Sequence, residues 1–217
     1  YENGEPTGEK EHWTLHEFKG GARFIRVDVD FRYSEHGGFS RLEEALYDPA
    51  GLLARYNFHY FDDSSNPPRE LPAEVKADYT VLEGYLQIAY TAGHEAREYE
   101  EVTLPEKSVL SPHGFIFMGQ VIHNAIAVGG DHIPVYDLDY HVYGSMAHPM
   151  QYTAEFITEE TTPCGKRHIP TRCYSFSRAD KAHERLYWLD EHDIVIKYEY
   201  RHGDEQQSAQ LGNYAHR

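Results

Sequence analysis

Two rows of polar side chains carry residue types able to move protons. Over Leu53 to Phe61, Arg55, Asn57 and His59 alternate with Ala54, Tyr56, Phe58 and Tyr60, and alternation sends the two sets to opposite faces of a strand. A guanidinium beside an imidazole can hold an oxyanion by charge-assisted hydrogen bonds while His59 carries a proton. A solvated outer face behind Tyr56, Phe58 and Tyr60 accounts for the same pattern. The second row is Asp137, Asp139 and His141, opposite Tyr136, Leu138, Tyr140 and Val142. A carboxylate beside a histidine fixes its tautomer and raises its basicity, as a general base requires; an exposed acidic face is again the alternative.

Aromatic residues give these rows a setting. The chain holds 18 Tyr, 10 Phe and 2 Trp, and Tyr56, Tyr60, Tyr90, Tyr136, Tyr140, Trp188 and Tyr198 could line the concave side of one curved sheet. Buried phenols need hydrogen-bond partners, and a liganded cavity supplies them more readily than a dry core.

These rows point first to a cofactor-independent lyase or isomerase acting on a small hydrophobic or aromatic molecule. His59 and His141 would transfer protons, Asp137 or Asp139 would orient His141, and Arg55 would stabilise developing negative charge. Tyr56, Tyr60, Tyr136, Tyr140 and Trp188 would hold the substrate. No organic cofactor and no metal is expected on this reading. A non-catalytic carrier of a lipid or aromatic ligand is the alternative, and a metalloenzyme with dispersed histidine ligands is the second. The chain has 15 histidines, but His12 and His16 stand about 13 Å apart on a strand, too far to share one ion. His132 and His168 each precede Ile-Pro, an echo that turns explain without ligation.

Absent motifs narrow the chemistry. There is no HExxH, paired CxxC, Gly-rich phosphate loop, GxSxG elbow or EF-hand pattern, which removes zincins, zinc ribbons, P-loop enzymes and ordinary serine hydrolases. A formal net charge of -16 opposes nucleic acid and anionic lipid as partners, since both bind through Lys and Arg. No run of about 18 apolar residues is present to span a membrane. The chain opens on Tyr1-Glu2-Asn3-Gly4, as one already in progress. Cys164 and Cys173 could face one another across a hairpin and bond in an oxidising compartment, or remain thiols in the cytosol. The compartment is therefore left as cytoplasmic or periplasmic, and a homodimer is left open.

The elements that must position these groups are mostly strands. Ile25, Val27, Val29, Phe31 and Tyr33 oppose Arg26, Asp28, Asp30 and Arg32, the pattern of an antiparallel sheet with one wet face. Asp48-Pro49-Ala50-Gly51 reads as a turn and Asp62 to Pro72 as a loop. Residues 39 to 47 read as strand or a short helical turn. Phe115, Met118 and Ile122 are spaced for one short helix within Ser111 to Asn124, with Pro112 in its first turn and Gly114 and Gly119 weakening it. A closing meander turns about Asp190-Glu191-His192-Asp193. Roughly ten strands in succession exclude a βαβ architecture. The expected fold is all-β: a single strongly curved antiparallel meander, half-barrel or up-and-down barrel, with one short helix, in a single domain over residues 1–217.

The opening ENGEPTGEKEHW, the central SPHGFIFMGQ and the closing CGKRHIPTRCYSFSRADKAHERLYWLDEHDIVIKYEY resemble the layout of uncharacterised bacterial half-barrel proteins of lipocalin-like or lipoprotein-like type. There a curved antiparallel sheet wraps a helix, and a closing hairpin carries a run like Tyr187-Trp188-Leu189-Asp190. The resemblance implies the half-barrel fold and a hydrophobic concavity, and transfers no catalytic residue.

Overall fold

Alternating apolar and polar residues fold the first half of the chain into a meander. The computed structural model describes residues 10–30, 39–62, 74–93, 98–138, 149–178, 184–202 and 205–212. Strands β1 (Lys10–Glu17), β2 (Arg23–Asp30), β3 (Phe39–Tyr47), β4 (Leu53–Asp62), β5 (Glu74–Leu82), β6 (Tyr85–Ala92) and β7 (Glu98–Thr103) pair antiparallel in chain order. On β2, Ile25, Val27 and Val29 are buried while Arg26 and Asp28 face water. The expected turn closes β3 onto β4: Asp48 Oδ1 accepts from the N–H groups of Ala50 and Leu52, both at 2.9 Å.

A second sheet follows, with β8 (Val109–Ser111), β9 (Ile133–Asp137), β10 (Met150–Cys164), β11 (Arg167–Arg178), β12 (Glu184–Leu189), β13 (Val195–His202) and β14 (Glu205–Gln210) ordered 14-13-12-11-10-9-8. All its pairs are antiparallel except β8 with β9, which run parallel. A helix lies between those two strands, and parallel neighbours require such a crossover. The fold is thus all-β and antiparallel in the main, a curled half-barrel holding one short helix, with its ladder divided into two seven-stranded sheets. Strand β9 buries both faces, Val135 in one core and Tyr136 in the other.

The helix joins the two cores. Pro112 stays outside it, Phe115–Phe117 forms one 3-10 turn, and Met118–Ala127 forms α1. Met118, Val121, Ile122 and Ala125 pack with Tyr152, Phe176 and Leu189 of the second sheet. Ile116 and Phe117 pack with the first, where the Phe117 ring meets Tyr56 edge-on at 5.9 Å. Phe115 departs from the expected apolar stripe and is 40% exposed.

Both flanks of α1 are fastened to turns. Asn124 Nδ2 donates to Gly51 O at 3.0 Å, on the β3–β4 turn. On the other side α1 presses on the β12–β13 turn, where Asp190 Oδ1 accepts from the N–H groups of His192 and Ile194 at 2.9 Å. A Cβ at position 119 would lie 1.7 Å from the Asp193 carbonyl oxygen. Gly119 is therefore what lets the helix dock, outweighing its cost in helix propensity.

Cys164 and Cys173 are not cross-strand partners. Cys164 sits opposite Arg167 and Cys173 opposite Thr158, about 20 Å apart along β11 at strand rise. Both are buried thiols, and burial together with Glu160 pushes the Cys173 thiol up to about 11. Among the described residues no helix is long and apolar enough to cross a membrane.

Gly119→Ala is expected to destabilise the fold by about 1–3 kcal/mol, the usual range for overpacking, because the obstructing atom is backbone. Urea denaturation followed by far-UV circular dichroism measures it, and an unchanged midpoint would refute the close approach.

Candidate functional site

The two sheets part on one side of the helix and leave a cavity of about 760 Å³. Phe115, Ile116, Met118, Val135, Phe176 and Ile196 contribute apolar wall. Its rim takes Lys10, Glu11 and Trp13 from β1 and Gln207 to Gln210 from β14, the outermost strands of their respective sheets. Strand alternation explains the second sheet's share. Tyr187 pairs with Tyr198 and Tyr174, and Arg185 with Tyr200, so Arg185, Tyr187, Tyr198 and Tyr200 emerge on one face and turn inward.

One end of the cavity gathers phenols about a guanidinium. Tyr152, Arg185, Tyr187, Tyr198 and Asp137 all line it. The Tyr152 hydroxyl hydrogen-bonds to Arg185, and the Arg185 guanidinium lies 5.7 Å from the centre of the Tyr200 ring. The rings of Tyr187 and Tyr198 are 4.9 Å apart. Burial raises all three cavity phenols, Tyr198 to about 12 and Tyr187 further. They are neutral hydroxyls at physiological pH and can each donate and accept.

A second polar group sits where the helix begins. Glu43 is fully buried on β3; its Oε2 accepts from Tyr56 OH at 2.7 Å and from Gly114 N at 2.9 Å. Arg41 Nε is 2.6 Å from Glu43 Oε1, an ion pair without the alignment of a hydrogen bond. Glu11, reaching from β1, accepts from Phe115 N at 3.3 Å and Ile116 N at 3.2 Å. Two carboxylates thus clamp successive N–H groups of the chain entering α1, where backbone donors are unpaired. Glu11 and Arg41 also line the cavity. Desolvation, reinforced by the charge of Glu43, raises the Glu11 carboxyl above its ordinary range. Tyr47, nearby on β3, keeps a buried hydroxyl with no hydrogen-bond partner among the described residues. Burial and Glu43 hold it firmly un-ionised.

The structure divides the residues expected from sequence. Arg55, Asn57 and His59 lie on the outward face of β4, with His59 Nε2 2.9 Å from Glu74 Oε1 and Lys76 Nζ 2.7 Å from the same oxygen. The solvated-face alternative describes them, so neither Arg55 nor His59 reaches the cavity. Tyr56 and Tyr60 point inward but are core, Tyr56 as a partner of Glu43. Tyr136 is likewise buried in the first core. Trp188 is on the face opposite Tyr187, donating from Nε1 to Glu160 with Lys197 Nζ 4.2 Å above its ring. Asp137 does line the cavity. Tyr140, His141 and Asp139 fall outside the described residues. Exposed His12 and His16 lie on the outer face of β1, and among the described residues no three His, Cys, Asp or Glu side chains gather as metal ligands.

Sequence reasoning passed over Glu11, Arg41, Glu43 and Arg185. A signal for two of them exists: Arg41 and Glu43 share the period of Ala45 and Tyr47, placing charge on an apolar face, where it must be paired.

The raised Glu11 carboxyl fixes the sign of a pH effect. A proton held more tightly in the folded than the unfolded state stabilises the fold at low pH, and that contribution is lost as pH rises from the ordinary carboxyl range through the folded value. Glu11→Gln should therefore gain stability relative to the parent as pH increases from about 4 to 8. Thermal melts at both ends of that range check it; a gain that shrinks with rising pH would contradict the burial of this carboxyl.

No family model matches the chain, and no curated protein does. Among solved structures, a beta-barrel-like protein of a domain of unknown function, DUF1849, from Brucella abortus is similar over 93% of this chain and 86% of that one, at 12% identity and a TM-score of 0.51. The Bacillus megaterium YpeB C-terminal domain aligns over 95% of this chain and 91% of that one at 8% identity, but with a TM-score of 0.14, too low to indicate a shared fold. What the chain is similar to is therefore a bacterial barrel-like fold, and the likeness extends to the fold alone.

Proposed function

We propose that the protein binds a small hydrophobic or aromatic molecule in the cavity between its sheets and carries it unaltered. The supporting observation is that cavity: about 760 Å³, within the roughly 300–1,000 Å³ typical of small-molecule sites. Aliphatic and aromatic side chains make the larger part of its wall, with Arg185, Asp137 and the phenols at one end and further polar groups, Glu11, Arg41 and Gln207 among them, elsewhere around it. Apolar surface provides affinity there and the few polar atoms orient the guest.

One observation favours a second reading, in which the bound molecule undergoes lyase or isomerase chemistry. Asp137 lines the cavity in company with Tyr152 and Arg185, a carboxylate, a phenol and a cation of the kinds that acid–base catalysis uses. On that reading Asp137 is the base, and Asp137→Asn abolishes turnover while retaining binding.

The neutral dye N-phenyl-1-naphthylamine tests the binding reading. It should bind saturably with enhanced fluorescence, and Ala209→Trp, which fills the cavity from β14 opposite Tyr198, should weaken it tenfold or more. His59→Ala, on the outer face, should leave it unchanged. Equal binding by the Ala209→Trp and parent proteins would overturn the assignment of the cavity as the site.

A further inference from the structure

We propose that the Arg185 end of the cavity is an anion site, so that the guest is an amphiphile: an alkyl or aryl body carrying one carboxylate or phosphate headgroup. This rests on the binding reading above and specifies its ligand class.

The charge of the cavity wall is opposite in sign to that of the molecule. The chain as a whole has a formal charge of -16, yet the Lys, Arg, Asp and Glu residues lining the cavity are Lys10, Arg41 and Arg185 against Glu11 and Asp137, three cations against two carboxylates. Arg185 shares the cavity wall with the phenols Tyr187, Tyr152 and Tyr198 and with the carboxylate Asp137. Since burial keeps those phenols protonated, they do not neutralise the guanidinium.

Donor geometry fits the same ligand. A guanidinium presents five N–H groups in a planar fork that matches two oxygens of a carboxylate or phosphate. Tyr152 engages Arg185 through its hydroxyl and Tyr200 lies under the guanidinium, which orients the fork. Hydroxyls of Tyr187 and Tyr198 stand on the same wall and can donate to a third oxygen. Beyond them Phe176, Met118 and Val135 continue the wall as apolar surface, where a chain or ring would lie. Charge-assisted bonds of this kind are about twice as strong as those between neutral groups, and an uncharged headgroup could not replace them.

The test is competition for the bound dye by three ligands with the same twelve-carbon chain: dodecanoate, dodecyl phosphate and dodecanol. The two anions should displace the dye at concentrations at least tenfold lower than the alcohol. Arg185→Gln should erase that advantage while leaving dodecanol unchanged, and Arg185→Lys should restore part of it. Preference for dodecanoate over dodecyl phosphate, or the reverse, identifies the headgroup. Equal displacement by acid and alcohol in the parent protein would overturn the anion site while leaving the cavity as a binding site, and this comparison needs no variant to fold. Failure of the dye and all three ligands to bind would instead sink the binding reading on which the anion site depends.

Discussion

A carboxylate sealed from water is the constraint around which this molecule is arranged. Glu43 has no exposed surface, so its charge is tolerable only if every side is answered. Tyr56 answers from the neighbouring strand β4, Arg41 from β3 itself, and Gly114 from the chain about to enter the helix. Removing one partner of such a buried charge costs about 3–5 kcal/mol, a large part of the roughly 5–15 kcal/mol that holds a typical domain together. The helix is therefore positioned by an electrostatic requirement at its start and by steric fit at Gly119, against opposite sheets. With its place set by both, the cavity beside it acquires defined walls.

That cavity opens where the sheets do not meet. Strands β1 and β14 each terminate a sheet, and both contribute to the rim. A fully closed barrel would have paired them and left an interior reached only from its ends. Here the half-barrel leaves a lateral seam, with Glu11 tying one side of it to the helix start through Phe115 and Ile116.

The extent to which this was legible in sequence differs by element. Strand β2 was readable because its inward residues are aliphatic and its outward ones charged. Strand β4 had an equally clean period, but the period does not say which set faces a hollow. Arg55 and His59 turned outward because Tyr56 and Tyr60 supply the core beneath the helix. Trp188 illustrates a second limit: Tyr187 and Trp188 are adjacent and both are buried, on opposite faces of β12. Alternation cannot choose between two covered faces. Glu11 and the Phe115-Ile116 backbone are separated in sequence by the rest of the first sheet, and only the tertiary fold brings the carboxylate to the N–H groups it caps. The single helix was legible from Met118 and Ile122, while the meaning of Gly119 was not, since it depends on a turn more than seventy residues later.

The placement of the indoles has a practical corollary. The chain contains 2 Trp; Trp13 borders the cavity, whereas Trp188 is held on the far face of its sheet beneath Lys197. Occupancy of the hollow alters the surroundings of the first and leaves the second as an internal reference. Intrinsic emission thus becomes a label-free gauge of filling, with each fluorophore separable by replacing the other with phenylalanine.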